Sequence, residues 1–335
     1  MTASADRVSL AAALSRTPVL TASQWRRTSP FVRYLIAVRA PVLAMTCAAA
    51  ALGGASAWWR GRIDAAAWTV CTIGLLLAHA ANNLLNDLTD SLRGVDCGDY
   101  FRTRYGAHVL EHGLMSRTAL TSLTAATGAA ALAAGLWLTA RSGPDVAWPL
   151  GAGAFLLLFY TYPLKQLGLG ELAVWLAWGP LMVGGTDLVA SHAWHWSAAW
   201  LGAAAGLLPT TVIFGKHLDK LHFDAVRGIG TLPVRLGAVR SRQLVVAMSV
   251  APYAAVAALA GTDVLPWTAA LVLFALPTGS RAIRAFRREP PPQRPPDYPA
   301  EVWPLWYAAY AFAHARRFGA LLLASFVAAW TLRAL

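Results

Sequence analysis

Nine stretches of the chain, near 34–58, 65–87, 118–140, 146–163, 171–190, 197–215, 243–262, 264–283 and 318–334, are almost free of charge. Their lengths compare with the roughly 20 apolar residues that a membrane-crossing helix needs. Ala and Leu dominate them, without the period-two alternation of a half-buried strand. The pattern predicts an all-α polytopic membrane protein of about nine transmembrane helices, bundled around a central cavity. Between the runs, the punctuation is uneven. Short breaks at Arg60–Asp64, Arg141–Val146, Ser191–Trp196 and Gly261–Asp263 alternate with long polar loops at Asp90–Arg117, Lys216–Arg242 and Arg287–Pro304. The third long loop holds Pro290, Pro291, Pro292, Pro295 and Pro296, which suits an extended linker. Residues 1–30 are rich in Ala, Ser and Thr and lack the apolar core of a secretory signal. They are expected to form a flexible or membrane-surface leader, with 31–335 as a single membrane domain.

Composition agrees. Of 335 residues, 57% are hydrophobic and 13% charged, against roughly 25% charged in soluble proteins. The mean hydropathy of +0.48 leaves too much apolar surface for a soluble fold of this size. Charge adds an orientation. The 28 Lys and Arg outnumber 16 Asp and Glu, and the excess gathers in the long loops and the other breaks on their side, as at Arg93, Arg102, Lys165, Lys216, Arg227 and Arg242. The short loops hold Arg60, Arg62 and Arg141, with Arg333 at the tail. By the positive-inside rule, the N-terminus and the long loops should be cytoplasmic, in the cytoplasmic membrane. The basic charge then has lipid and loop-bound anions as partners and no need of a nucleic acid. Cys47, Cys71 and Cys97 have no metal-ligand spacing and read as free thiols.

Candidate chemistry lies where the second and sixth runs end. Asn83, Asn86, Asp87 and Asp90 stand at i, i+3, i+4 and i+7, one face of a helix. Such a stripe inside an apolar helix is costly unless it faces a wet cavity or the protein interior. Carboxylates at a helix C-terminus also oppose its dipole, so an ordinary helix end would avoid them. Gly94 breaks the helix and Asp96 and Asp99 follow. Hard oxygen ligands of this kind suit Mg2+. The second segment carries Asp219 and Asp224, five residues apart and about 140° around an ideal helix. They can share an ion only if the helix ends between them. Lys216, Lys220 and Asp224 share a face, a mixture suited to Asp–metal–phosphate and direct Lys–phosphate contacts. His217 and His222 read as interfacial histidines, and His79 as a neutral, helix-bonded one.

These segments, with Tyr160-Thr-Tyr-Pro-Leu-Lys165 and Gly168-Leu-Gly-Glu171 between them, give a pattern that resembles the UbiA superfamily of intramembrane prenyltransferases. Within it the pattern is most similar to the menaquinone-biosynthesis branch. The resemblance runs from Arg39-Ala-Pro41 to the last helix. It implies a nine-helix bundle around a lipid-open cavity, with Asn86, Asp87, Asp90, Asp96, Asp219 and Asp224 holding Mg2+. It further implies that Lys165, with Asn83, Asn86, Arg39, Arg102, Lys216 and Lys220, binds the diphosphate, and that Tyr160 and Tyr162 sit near the reacting carbon. The implied reaction is Mg2+-dependent prenyl transfer from an allylic diphosphate to an aromatic or other lipophilic acceptor, with no obligate protein partner. Two departures stand out. Phe214–Leu218 lacks the Asn pair and Arg of the menaquinone branch, and Gln166 stands where the ubiquinone branch tends to place Arg. The acceptor is therefore not identified by the motifs. A terpene cyclase of the same superfamily would use the same diphosphate site without an acceptor. A secondary transporter would instead need ionisable groups near the midplane, and a scaffold would have no use for the acidic stripe.

Overall fold

The computed structural model describes residues 7–96, 101 and 105–335. No strand occurs among them, and nine helices are long and apolar enough to cross a membrane. In chain order the spans are Ala40–Trp59, Ala65–Leu92, Arg117–Ser142, Pro144–Leu164, Gly170–Ser191, Trp196–Asp219, Ala238–Ala260, Trp267–Phe286 and Tyr307–Ala334. Local signals set several of their ends. Asp64 caps the second span by accepting from Ala67 N at 3.0 Å, and Ser116 caps the third by accepting from Ala119 N at 3.2 Å. The Ala67 N–H, together with Arg141 at 3.0 Å, holds the Asp64 carboxyl below its ordinary pKa.

The largest core joins the first span to the fifth through ninth, with Leu208, Phe214, Val245, Leu265, Phe318 and Leu322 buried in it. Hydrophobicity alone gives little drive for helices to associate within lipid, so close backbone contact matters. At Gly202 of the sixth span, a Cβ would stand 2.5 Å from Gly179 O of the fifth. At Gly215, one would stand 2.7 Å from Ala308 N of the ninth. These glycines let the sixth span sit against two neighbours at once. The third and fourth spans instead leave Leu132, Leu136, Trp137, Phe155 and Leu158 exposed, as lipid-facing helices do.

Three features depart from the hydropathy pattern. The first expected span, 34–58, is two helices, Pro30–Ala37 and Ala40–Trp59, separated at Arg39, whose φ of 56° is left-handed. Asn83 Nδ2 donates to Val38 O at 2.9 Å and Arg39 pairs with Asp87, so side chains of the second span hold the break. The ninth span begins at Tyr307, well before 318. Its first turns bury Tyr307, Ala308, Ala311 and His314, while Arg316 and Arg317, exposed, depress the hydropathy. The leader from residue 7 packs as two short helices, Leu10–Ser15 and Ala22–Arg27. Ala13, Leu20 and Trp25 are buried against Leu84, Val109 and Leu114, and Gly106 meets Thr17 so closely that a Cβ would be 2.9 Å from its methyl.

At the end opposite the acidic motifs, buried Asp187 pairs with Arg60 and holds His195 Nδ1 at 2.8 Å. This cluster ties the first, fifth and sixth spans at their short loops. The fourth and fifth spans are irregular inside. Tyr162 (φ −151°, ψ 127°), followed by Pro163, and Gly179 (φ −98°, ψ −110°), followed by Pro180, break the helical path. Non-helical backbone at membrane depth is tolerated where protein or a wet cavity can satisfy it. Both breaks adjoin the polar interior described next.

Candidate active site

The one-face stripe of the second span points inward. Asp87, Asp90 and Asn83 are buried, and Asn86 partly so. Asn86 Nδ2 donates to Asp90 Oδ2 and to Thr161 Oγ1, each at 3.1 Å. Thr161 sits at the break in the fourth span, so the break delivers a hydroxyl to the stripe. Four residues further on, Lys165 Nζ grips Asp90, at 2.8 Å from Oδ1 and 2.7 Å from Oδ2. The ammonium and carboxylate are both almost fully enclosed. In low dielectric such a pair is held strongly, and either partner alone would be a costly buried charge.

A pocket opens beside this pair. Asn86, Asp90, Asp96, Tyr105, Tyr160, Lys165, Lys216, His217 and Lys220 line it. The two long loops and the fourth span thus converge where the sequence pattern places them. Three ammonium groups around a pocket that also holds carboxylates have the chemistry to meet a polyanion bridged by cations. Lys220 Nζ donates to Asp224 Oδ1 at 3.0 Å, so the second acidic segment enters the site through buried Asp224 and its neighbouring lysine. His217 lines the pocket too, and its Nδ1 lies 2.5 Å from Glu171 Oε1. Glu171 Oε2 is buried and has no hydrogen-bond partner among the described residues.

Other expected residues go elsewhere. Asp219 turns away from the pocket. Its Oδ1 accepts from Tyr307 N at 2.8 Å and its Oδ2 from Ala308 N at 3.0 Å, so the carboxylate expected on a metal caps the ninth span. The helix does end at Asp219, with Lys220 non-helical (φ −114°, ψ 17°). That release aims Asp224 at the site and Asp219 at the ninth span's free N–H groups. Arg39 is bound to Asp87, and Asn83 to Val38 O, so both brace the first span. Tyr160 lines the pocket, whereas Tyr162 is exposed under Arg93, 4.0 Å from its ring centre. Arg102 and Cys97 lie outside the described residues.

His108 joins the site without any spacing signal. Its Nε2 stands 2.8 Å from Asp96 and 3.8 Å from Asp87, and one ligand atom from each of the three lies within 4.8 Å of the others. The contact spans 12 residues of loop, so only the tertiary fold reveals it. Buried carboxylates this close, beside lysines, fit a divalent cation by donor chemistry. Glu171 and His217 had a partial signal. Both stand in the quoted motifs, but their pairing across 46 residues has no period.

Comparison with known proteins gives a consistent result. The model of the UbiA prenyltransferase family matches residues 44–296. A 1,4-dihydroxy-2-naphthoate octaprenyltransferase of Mycobacterium tuberculosis is 34% identical over 212 residues, 61% of this chain and 67% of that protein. A 2-carboxy-1,4-naphthoquinone phytyltransferase of Synechocystis is 25% identical over 272 residues, covering 77% of this chain and 84% of the relative. Among solved structures, a UbiA homolog from Aeropyrum pernix superposes with a TM-score of 0.58 at 17% identity, covering 88% of this chain and 99% of the other. A UbiA homolog from Archaeoglobus fulgidus bound to DMAPP and Mg2+ gives 0.53 at 15%, covering 86% and 98%.

Proposed function

The chain belongs to the UbiA prenyltransferase family, and on that premise we propose that it transfers a prenyl group from an allylic prenyl diphosphate to an aromatic, naphthoate-type acceptor. The observation that carries this reading is the pocket where Lys165, Lys216 and Lys220 meet the carboxylates of Asp90 and Asp96. Relatives named for naphthoate and naphthoquinone acceptors support the acceptor class and a place in menaquinone biosynthesis.

The donor set fits Mg2+. Asn86, Asp90, Asp96 and Asp224 supply hard oxygens beside the pocket, with Asp87 behind them. Bound there, the ion would neutralise charge developing on the diphosphate oxygens. The chain's own groups do the remainder. Lys165, Lys216 and Lys220 bind the phosphates and stabilise the leaving group as its C–O bond breaks. Tyr160 stands beside the lysines, where its ring face can stabilise the allylic cation. The apolar spans keep water from that cation until the acceptor's ring carbon attacks it, and that carbon then sheds its carboxylate as CO2, or a proton, to regain aromaticity. The site faces the cytoplasm if the basic loops obey the positive-inside rule.

The test uses purified protein in detergent or nanodiscs with Mg2+, a prenyl diphosphate and 1,4-dihydroxy-2-naphthoate. Prenylated naphthoquinol, with one diphosphate from the donor and one CO2 from the acceptor's ring carboxylate per turnover, is the expected outcome. Cyclic hydrocarbon formed equally well without acceptor would point to a cyclase. Absence of any diphosphate release would contradict the proposal.

A further inference from the structure

His79 lies on the same face of the second span as the catalytic stripe, at i relative to Asn83 (i+4), Asn86 (i+7) and Asp90 (i+11). Seven residues separate it from Asn86, so it sits about 10 Å deeper along the helix. Its Nδ1 is 2.8 Å from Thr46 Oγ1 on the first span. Thr46 Oγ1 also accepts from Trp178 Nε1 of the fifth span at 3.2 Å. The Trp178 ring meets the imidazole edge-on at 4.8 Å, next to the backbone break at Gly179.

The tautomer follows from counting protons. An indole N–H can only donate, so Thr46 Oγ1 receives that bond and has one proton left to give. Other threonines of the spans, such as Thr72, give theirs to a backbone carbonyl four residues back. Thr46 makes no such bond among the described residues, and its hydroxyl faces His79 Nδ1. Nδ1 is then the acceptor and the ring proton is on Nε2. No hydrogen bond to that N–H is found among the described residues, and the atom is not one of the fully enclosed polar atoms that lack a partner. His79 as a whole is only 6% exposed, so this N–H keeps a small open surface on an otherwise buried residue, where a donor left unmet is costly.

We propose that His79 Nε2–H binds an oxygen of the aromatic acceptor, which fixes the ring beneath the diphosphate. The inference rests on the prenyl-transfer reading and adds the residue that recognises the acceptor. A hydrocarbon chain has no use for a directed N–H donor, whereas a hydroxylated or carboxylated ring supplies the missing acceptor atom. Thr46 and Trp178 act through His79, by holding its plane and its tautomer.

Steady-state kinetics with farnesyl diphosphate, Mg2+ and 1,4-dihydroxy-2-naphthoate test this. His79→Phe keeps the ring volume and removes the donor. It should raise the acceptor KM about tenfold or more and leave the KM for farnesyl diphosphate within about twofold. His79→Gln, which can accept from Thr46 and still donate, should restore most of that loss. If His79→Phe fails to accumulate, the triple variant with Thr46→Val and Trp178→Phe, which strands neither the threonine hydroxyl nor the indole N–H, is measured instead. An unchanged acceptor KM in these variants, or equal losses for both substrates without rescue by Gln, would overturn the role of His79. Wild-type protein that makes no prenylated product would instead defeat the proposed function.

Discussion

At the residue scale the site divides into groups that meet the pocket and groups that hold the scaffold around it. Asp90 belongs to the first set, and Lys165 is bound to it by both carboxylate oxygens. Asp90→Asn keeps the volume and removes a charge, and should lower diphosphate release at least about 100-fold while the protein still folds. Lys165→Met should cut turnover comparably and also lower the melting temperature, because it leaves the Asp90 carboxylate buried without its partner. Rescue by arginine is not expected, since the enclosed site fits a compact ammonium. Asp219 belongs to the second set. Asp219→Ala should cost about 1–2 kcal/mol through loss of the cap on the ninth span, seen as a lower melting temperature, with the Mg2+ concentration for half activity unchanged. A tenfold higher Mg2+ requirement at unaltered stability would mark Asp219 as a ligand instead. The stripe from Asn83 to Asp90 was legible because helical period alone puts it on one face. The destination of Asp219 was not, because it depends on where the ninth span's first N–H groups arrive, 88 residues away.

Among the elements, the breaks matter as much as the helices. The bend at Arg39, the break at Tyr162 and the break at Gly179 each place a functional group where a continuous helix would not: Arg39 against Asp87, Thr161 against Asn86, Trp178 against Thr46. Pro41, Pro163 and Pro180 mark these sites in the sequence, but a proline does not say which partner the freed segment meets. Hydropathy located the spans well where both faces see lipid or core. It misplaced the start of the ninth because Arg316 and Arg317 face outward from a helix whose other side is buried. The fifth and sixth spans touch through backbone, so Gly202→Leu should drive Gly179 away and destabilise the bundle by about 1–3 kcal/mol or more. Thermal unfolding in detergent reads this, and a melting temperature matching wild type would refute the contact. Deleting residues 1–21 should bare Val109 and Leu114 and loosen the loop that carries Asp96 and His108. Limited proteolysis should then cut near Gly106, with diphosphate turnover falling in parallel.

For the whole molecule, the organising fact is an apolar bundle with charge confined largely to its two ends. The Asp187–Arg60–His195 cluster closes one end, and the lysine–carboxylate pocket forms the other. Between them, the polar groups of Thr46, His79 and the partly buried Trp178 meet where the first, second and fifth spans come together. The number of spans and the all-helical class could be read from hydropathy, and the end where the acidic segments gather from loop length and acidic spacing. The pairings of Asp96 with His108, Glu171 with His217 and Arg60 with Asp187 could not. Each joins residues whose separation has no period, and each exists only because the bundle closes. The central claim is that this end of the bundle ionises a prenyl diphosphate and that an aromatic ring captures the cation. Mass spectrometry of the products from purified protein tests it most directly, with prenyl diphosphate and 1,4-dihydroxy-2-naphthoate supplied with and without Mg2+. The account predicts a prenylated naphthoquinol that requires Mg2+, is abolished by chelation and is lost in Asp90→Asn. Prenylated product of equal yield after chelation, or in Asp90→Asn, would contradict it.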